Sequence, residues 1–310
     1  MMIEHVDAII DLRRFQTLEL GATPGKGALT LAELRSTDNP GGRDSSTRRN
    51  WAIDLNVPLL SAKGSAEILL WVGDGAFELR NQRTLRAVVC LLRYAQVDFA
   101  VLGSEECDTG DVARRLGDEA EFQRLAKHNI EVLRHYRFQR ILTTDPHAFH
   151  ALKNEYTPFG ATLDVVHHTT FLLELVQDGR LTFAHDAVVT GLLTYHDPCY
   201  LGRYNHEFTS PRALLDALGV AWREMERSGP RSRCCGGGGG APLTDIAGKR
   251  RIPDLRMDDV RAVGANVVAV ACPNCALMLE GVVHPRPKVL DIAEILLARV
   301  EQADVPRLVQ

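Results

Sequence analysis

One segment shows most clearly how strands and helices alternate in this chain: Val267-Val268-Ala269-Val270-Ala271-Cys272-Pro273-Asn274-Cys275-Ala276-Leu277-Met278-Leu279-Glu280-Gly281. Its first five residues form a short apolar run rich in valine, which predicts a strand. A helical pattern follows, and Pro273 suits its first turn because a backbone N–H there has no acceptor inside the helix. Cys272 and Cys275 therefore lie where a strand turns into a helix, so both sulfur atoms can face one point. The free N–H groups and positive dipole of a helix N-terminus favour thiolate over thiol.

Two further cysteine groups occupy comparable positions. A predicted strand at 191–195 leads to Cys199, and the doublet Cys234-Cys235 is followed by five glycines at 236–240. A glycine run lets the backbone approach a bulky cofactor and direct N–H groups at it. Ligands bind at the carboxyl edge of open α/β sheets, so three loops from one edge can converge. We therefore expect one site on five of the seven cysteines, namely Cys199, Cys234, Cys235, Cys272 and Cys275.

The ligand set indicates an iron–sulfur cluster more than its alternatives. Adjacent cysteines such as Cys234 and Cys235 can hardly form a disulfide with each other. Zinc needs only four ligands, so five thiols with a glycine run exceed what a zinc site requires. Zinc and a merely structural group of thiols remain the alternatives.

Composition limits the function classes. The 310 residues are 45% hydrophobic and 25% charged, which suits two globular domains, and the net charge of −4 argues against a nucleic-acid partner. No apolar run reaches the roughly 18–20 residues that cross a bilayer, and the N-terminus does not read as a secretory signal. We expect a cytoplasmic protein without a membrane span, or one held peripherally at a membrane through a partner.

Strands and helices alternate from residue 66 onward, which predicts an α/β fold with parallel sheets. The succession recurs, so we expect two pseudo-symmetric duplicated domains, repeat 1 at 66–185 and repeat 2 at 186–310. An N-terminal extension, 1–65, precedes them, with one helix and then a loop-rich segment at 21–49. Only repeat 2 keeps the five cysteines.

Repeat 1 carries oxygen ligands where repeat 2 carries sulfur. Asp74, Asp108 and Asp145 follow its strands at matching spacings, and His147 is close to Asp145. These four residues could bind a hard or borderline cation. The alternative is a vestigial site that hydrogen bonds and water have closed.

Several other residues allow two interpretations. His196 and Asp197 precede Cys199 and could hydrogen-bond near a cluster, but Asp-Pro is also ordinary turn chemistry. Arg233 could offset the charge of a cluster or be a solvated surface residue. His167 and His168 follow a predicted strand, and they suit either a proton-coupled role or capping and packing.

The motifs resemble the cysteine-rich "CCG" domain. The resemblance rests on the segment 195–203, on Cys234-Cys235-Gly236 and on Cys272-Pro273-Asn274-Cys275. That domain occurs in heterodisulfide reductase catalytic subunits, in the iron–sulfur subunits of glycolate and lactate oxidation systems, and in electron-transfer-flavoprotein:quinone oxidoreductases. The family usually has cysteines in its first repeat too, and this chain departs from it there. The segment 7–14 also resembles the end of a ferredoxin-like segment without its cysteines.

The resemblance implies a [4Fe–4S] cluster, either non-cubane on five cysteines or cubane on four of them. It implies an electron-transfer subunit of an oxidoreductase complex, whose partners are a flavoprotein and another iron–sulfur or membrane-anchored subunit. One alternative is a catalytic subunit that reduces a disulfide, as in heterodisulfide reductase. A second is a zinc-binding scaffold.

Overall fold

The computed structural model describes residues 5–183, 191–243, 248–283 and 285–300, and within them eight parallel strands form two four-stranded sheets. The strands are β1 (Ile68–Trp71), β2 (Phe99–Ala100), β3 (Arg140–Thr143), β4 (Val165–His167), β5 (Leu193–Tyr195), β6 (Trp222–Arg223), β7 (Val267–Val270) and β8 (Lys288–Asp291). The strand order is β2-β1-β3-β4 in the first sheet and β6-β5-β7-β8 in the second. The two orders are the same once each strand number of the first sheet is raised by four. This repetition confirms the predicted duplication.

Helices connect the strands and cover the sheets. They are α1 (Val6–Arg14), α2 (Gly27–Thr37), α3 (Leu60–Lys63), α4 (Leu79–Tyr94), α5 (Asp111–Leu116), α6 (Glu119–Arg134), α7 (Pro146–His150), α8 (His168–Gln177), α9 (Cys199–Gly202), α10 (Thr209–Ala217), α11 (Ile252–Ala262), α12 (Pro273–Glu280) and α13 (Ile292–Leu297). Crossover helices explain why every strand pair is parallel and why β1 and β7 are buried along their whole length. Within the described ranges, no helix combines the length and apolar character needed to cross a membrane.

The expectation of a loop-rich segment at 21–49 was wrong for its central part. Residues 27–37 form α2, which buries Leu31 and Leu34 against the first repeat near α5 and α6. Asp38 ends this helix in the left-handed conformation. The flanking prolines and glycines masked a short apolar pattern that becomes helical only because repeat 1 covers it.

The two repeats pack closely against each other. Helix α4 of repeat 1 contacts α12 and α13 of repeat 2. Arg80 on α4 forms ion pairs with Glu280 at 2.7 Å and with Glu294 at 2.8 Å. His168 reaches Asp291 across the same interface, with 3.0 Å between Nε2 and Oδ1. This packing fixes how the carboxyl edges of the two sheets lie relative to each other.

A buried ion pair joins the N-terminal extension to the carboxyl end of β1. The fully buried Arg48 donates to Glu106 Oε1 at 3.2 Å and to the Gly73 carbonyl at 2.8 Å. Glu106 also accepts from the backbone N–H groups of Val72 and Gly73. Burial raises the pKa of Glu106, and the charge of Arg48 opposes that rise. The extension is therefore part of the folded body of repeat 1.

We expect Arg48→Met to lower the free energy of unfolding by about 3–5 kcal/mol, because it leaves the carboxylate of Glu106 buried without its partner. Urea unfolding monitored by circular dichroism measures the change. Arg43→Met is the matched control, since the Arg43 side chain is 55% exposed and lies 3.9 Å from Glu78. The control should cost less than about 1 kcal/mol. Equal losses in the two variants would contradict the structural role of the buried pair.

Gly117→Ala should loosen α1. Gly117 has φ +90°, and an added Cβ would lie 2.3 Å from the backbone carbon and oxygen of Arg13. The backbone conformation alone costs about 1–2 kcal/mol, and the clash adds to it by displacing α1. Gly64→Ala is the control, because Gly64 has φ +80° and nothing within 4 Å of an added Cβ.

Trypsin cleavage after Arg13 and Arg14 reports the displacement. Cleavage should be faster in Gly117→Ala than in Gly64→Ala or the unchanged protein. The same cleavage rate in both variants would show that the contact between Gly117 and α1 does not hold the helix in place.

Candidate metal centre

Three loops at the carboxyl edge of the second sheet bring the five predicted cysteines together. Cys199 opens α9 just after β5, and Cys272 is the N-cap of α12 just after β7. Cys275 lies in the first turn of α12. Cys234 and Cys235 lie in the loop between β6 and α11. Parallel pairing of β5 with β7 sets this convergence, because it aligns the carboxyl ends of both strands.

The five thiols form a continuous series of neighbours. Cys199 is hydrogen-bonded to Cys234, Cys234 to Cys235, Cys235 to Cys275, and Cys275 to Cys272. Cys235, Cys272 and Cys275 are buried, whereas Cys199 and Cys234 are partly exposed. All five are free thiols rather than disulfides.

The pKa values of three of the thiols are shifted in different directions. The pKa of Cys234 is lowered because it accepts hydrogen bonds from Cys199, Cys235 and the backbone N–H of Gly236. The bond that each donates to Cys234, together with burial, raises the pKa of Cys199 and Cys235. A thiolate therefore forms more readily at Cys234 than at Cys199 or Cys235.

The glycine run that follows the doublet supplies backbone donors. The N–H of Gly236 donates to Cys234 Sγ at 3.2 Å, and the N–H of Gly237 donates to Cys235 Sγ at 3.3 Å. A Cβ on Gly237 would lie 2.9 Å from Met278 Cγ, so the loop can approach α12 only without a side chain there. Soft thiolates gathered with backbone N–H donors form the donor set that an iron–sulfur cluster requires.

His196 lies directly beside these thiols. It is fully buried, its Nε2 is 3.3 Å from Cys275 Sγ, and Arg256 Nε donates to its Nδ1 at 3.0 Å. Burial, and then the charge of Arg256, lower the pKa of His196 to about 3. The imidazole is therefore neutral. The sequence left two interpretations for His196, a hydrogen bond near the site or ordinary turn chemistry, and the structure agrees with the first.

Asp197 has a structural role. Its carboxylate accepts from Arg212 at 2.8 and 3.1 Å and from the backbone N–H of Gly229 at 2.8 Å. These bonds tie the segment before Cys199 to the loop that leads to the cysteine doublet. The guanidinium of Arg233 is directed at Asp259, at 2.9 Å.

His167 and His168 have capping and packing roles at the interface of the repeats. His167 is the N-cap of α8, where its side chain accepts from the backbone N–H of Thr169. Both histidines are buried, and His168 is bound to Asp291.

Repeat 1 contributes its carboxylates to a cavity of about 330 Å³ beside the thiol site. Asp74, Asp108 and Asp145 line one part, and Gly237 and Asn274 of repeat 2 line another. Burial raises the pKa of all three aspartates, to about 7 for Asp108, and repulsion from Asp108 raises that of Asp74 further. Asp74 Oδ1 has no hydrogen-bond partner among the described residues. Hydrogen bonds within the described residues therefore do not pair every carboxylate oxygen in this cavity.

His147 also lines this cavity but is bound elsewhere. Its Nδ1 lies 2.9 Å from Asp111 Oδ2, and its ring stacks on Tyr200 of repeat 2 with 3.7 Å between ring centres. Burial alone would lower the pKa of His147, but the charge of Asp111, the hydrogen bond to its carboxylate and the charge of Asp145 together outweigh burial and raise the pKa to about 9. The ligand atoms of Asp145, His147 and Cys272 all lie within 4.8 Å of one another. His147 thus connects the aspartates of repeat 1 to the thiols of repeat 2.

The sequence did not reveal two residues of this site. Arg256 and Asp111 orient His196 and His147, respectively, and both are buried. Their positions on α11 and α5 read as ordinary polar helix positions. Only the packing of those helices against the sheets brings them to the histidines.

Several curated proteins with similar sequences have names that describe redox proteins. The chain is 59% identical over 310 residues to the "Probable membrane-anchored ferredoxin" of Chromohalobacter salexigens, an alignment that covers 97% of this chain and 46% of that protein. It is 39% identical over 319 residues to the "Probable iron-sulfur-binding oxidoreductase FadF" of Bacillus subtilis, covering 98% and 45%. It is 32% identical over 247 residues to a component of the dihydromethanophenazine:CoB–CoM heterodisulfide reductase of Methanosarcina barkeri, covering 76% and 58%.

Two features of these similarities define the relationship. The chain spans about half the length of the first two relatives, so the similarity concerns one portion of each. The family model for the cysteine-rich domain, CCG, matches twice, at residues 70–153 and 193–280. The first match covers the end of β1 with β2 and β3, and the second covers β5, β6 and β7, so each takes in most of one sheet and its carboxyl-edge loops. The chain therefore belongs to the cysteine-rich CCG domain family, and it carries two copies of that domain.

Proposed function

We propose that this chain is an iron–sulfur electron-transfer subunit and that Cys199, Cys234, Cys235, Cys272 and Cys275 hold its single cluster. The observation that carries the proposal is the continuous series of five free thiols at one sheet edge. The names of the relatives, a ferredoxin and an iron-sulfur-binding oxidoreductase, agree with this chemistry.

The donor set fits a [4Fe–4S] cluster better than zinc. A fifth thiol is surplus to a four-coordinate zinc site, whereas it suits an anionic cluster with several iron atoms, and the two N–H···S bonds help to offset the charge of such a cluster. When bound, such a cluster supplies one-electron redox chemistry in a buried site. Four ligands would hold a cubane form and five a non-cubane form.

Repeat 1 is proposed to hold no iron–sulfur cluster. Asp74, Asp108 and Asp145 offer hard carboxylate oxygens, which suit Mg²⁺, Ca²⁺ or Mn²⁺ rather than iron–sulfur chemistry. His147 is not free to complete a shell with them through Nδ1, because Asp111 holds that nitrogen. A cation at the three aspartates therefore remains a proposal of its own, and metal analysis tests it together with iron.

Exposed apolar side chains of the N-terminal helix suit a redox partner. Val6, Ile9, Leu12, Phe15 and Leu18 lie on α1 and its π-helical continuation, and each is 39–66% exposed. The same helix contacts the glycine loop, because Arg13 donates to the Gly239 carbonyl at 2.7 Å. We propose that a ferredoxin-type iron–sulfur protein or domain docks on these side chains, beside the thiol site.

The remaining partners follow from the names of the relatives. A flavoprotein subunit is the proposed source or recipient of electrons at the other end of the relay, since one relative is an "EtfAB:quinone oxidoreductase". A membrane-anchored subunit would hold the assembly at a membrane, in agreement with the name of the Chromohalobacter relative.

Anaerobically purified protein should contain iron and acid-labile sulfide in similar amounts and little zinc. Cys272→Ala should lose most of both, because it removes one of the buried ligands. Iron, sulfide and zinc are counted per chain by colorimetric and atomic spectroscopy, and magnesium, calcium and manganese in the same samples.

Cys90→Ala is the matched control. Cys90 is equally buried, but it lies on α4 of repeat 1, so its loss should leave the iron content unchanged. Zinc without iron or sulfide in the unchanged protein would overturn the proposed function in favour of the scaffold. Excess magnesium, calcium or manganese that Asp108→Asn removes would support a separate cation site in repeat 1.

A second candidate function is reduction of a small disulfide, and the cavity beside the site favours it. The cavity has room for a small ligand, and its lining of Asp74, Asp108 and Asp145 favours a cationic one. Two electrons and two protons would convert one disulfide into two thiols. The electrons would arrive one at a time through the same cluster.

Electron paramagnetic resonance of the oxidised protein separates the two candidates. A relay predicts that the spectrum does not change when cystamine, a small dicationic disulfide, is added. A new signal with cystamine that anionic dithiodiglycolate does not produce would favour disulfide reduction. Asp145→Asn should then weaken the signal, because it removes one of the carboxylates that attract the cation.

A further inference from the structure

We infer that Arg256 holds His196 in one tautomer, so that His196 Nε2–H donates a hydrogen bond to Cys275 Sγ and the pair raises the reduction potential of the bound cluster. This inference rests on the proposed function, because it concerns the same cluster. It assigns a positioning residue, Arg256, and a tuning residue, His196, to a site for which the sequence identified the thiols and left two interpretations open for His196.

Arg256 is held in a fully buried position by four bonds. Its Nη1 donates to the Arg227 carbonyl at 2.8 Å and to Asp259 Oδ2 at 3.3 Å, and its Nη2 donates to Ser232 Oγ at 3.3 Å. Its Nε donates to His196 Nδ1 at 3.0 Å. The guanidinium therefore cannot turn away from the histidine without breaking contacts to three other residues.

The donor chemistry of arginine decides the tautomer. A guanidinium has only N–H donors and stays protonated, so His196 Nδ1 must be the acceptor. A neutral imidazole that accepts at Nδ1 carries its proton on Nε2. Nε2 is the atom 3.3 Å from Cys275 Sγ, so the N–H points at the sulfur.

The same logic argues against His196 as an iron ligand. His196, Cys235 and Cys275 offer ligand atoms within 4.8 Å of one another, which by itself would suit a metal site. A ligating imidazole presents a bare nitrogen to the metal and donates from its other nitrogen. Arg256 occupies that other nitrogen as a donor, so the two roles are incompatible.

The position of His196 is also fixed along the chain. It follows β5 directly, and its backbone N–H donates to the Ala269 carbonyl of the neighbouring strand at 2.9 Å. The hydrogen bond to Cys275 therefore joins two loops that the sheet already aligns. His196 and Arg256 are fully buried and Cys275 is 3% exposed, so water does not compete for this bond.

An N–H···S bond changes the balance between the two redox states. Reduction adds negative charge to the cluster and its thiolates, so a hydrogen-bond donor stabilises the reduced state more than the oxidised state. Loss of the donor should therefore shift the potential to a more negative value.

A redox titration of the reconstituted protein, followed by electron paramagnetic resonance, measures the effect. His196→Phe keeps an aromatic ring but removes both bonds, and its potential should be more negative than that of the unchanged protein. His196→Gln should restore most of the difference, because its amide oxygen can accept from Arg256 while its NH₂ group donates to sulfur. An unchanged potential in His196→Phe with a full cluster would overturn the inference.

Arg256→Met tests the positioning role. Without the arginine, His196 can adopt the other tautomer, so the potential should again become more negative. In a protein that already carries His196→Phe, Arg256→Met should have a smaller effect, which reflects only the lost charge. Equal shifts in both backgrounds would show that Arg256 acts through its charge alone and would overturn the tautomer argument. Arg256→Lys, which keeps the charge and a donor, should lie close to the unchanged protein.

Two measurements separate failure of this inference from failure of the proposed function. The iron and sulfide counts come first, since a chain without a cluster has no potential to tune. Pulsed electron paramagnetic resonance then reports the nitrogen, where a weak coupling with an exchangeable proton fits a donor. The strong coupling of a directly bound imidazole would overturn the inference while leaving the cluster in place. His168→Gln, at a buried histidine bound to Asp291, is the matched control and should leave the potential unchanged.

Discussion

The parallel register of β5 against β7 is the constraint on which the site depends. Leu193, Thr194 and Tyr195 pair with Val267, Val268 and Ala269, and this register places the ends of both strands at one edge. Cys199 and Cys272 lie in adjacent loops at that edge. The chain between β6 and β7 brings Cys234 and Cys235 to the same edge. A shift of one residue would move each side chain to the opposite face and separate the thiols. Sheet geometry, rather than local spacing, therefore assembles the site.

The same topology in repeat 1 carries different chemistry. Its sheet has the same strand order, and its strand ends also meet at one edge, but carboxylates stand there instead of thiols. Because the edges of both repeats border one cavity, the thiol site has an acidic neighbour. The fold has kept its architecture while the ligand types of the two halves have diverged.

Buried charges at the border of the repeats are arranged in compensating groups. Burial alone would raise the pKa of Asp111, but the charges of Arg115 and His147 hold it below its ordinary value. The positive charge of Arg256 is partly balanced by the carboxylate of Asp259. The same carboxylate also binds Arg233, which precedes Cys234 in the chain. Such groups are costly to break, because the remaining partner would be left charged and buried. They help to fix the surroundings of the thiols.

Much of the fold could be predicted from the sequence, because alternation of strands and helices is a local signal. The duplication was visible in the spacing of Cys199, Cys234 and Cys272 against Asp74, Asp108 and Asp145. Short elements could not be predicted in the same way: the two residues of β6 carry no pattern, and α2 is helical because repeat 1 buries it.

The sequence is enough to identify the atoms available at the site: five thiols in the segments that follow strands, a glycine run, and a histidine before Cys199. How those atoms are used depends on the tertiary structure. The arginine that orients His196 lies 60 residues away along the chain, and the partner of His147 lies on another helix. Spacing encodes contacts within a turn or a strand, whereas hydrogen bonds between distant segments depend on how helices pack over a sheet. For that physical reason the thiols and His196 could be recognised in the sequence, but the groups that orient His196 and His147 could not.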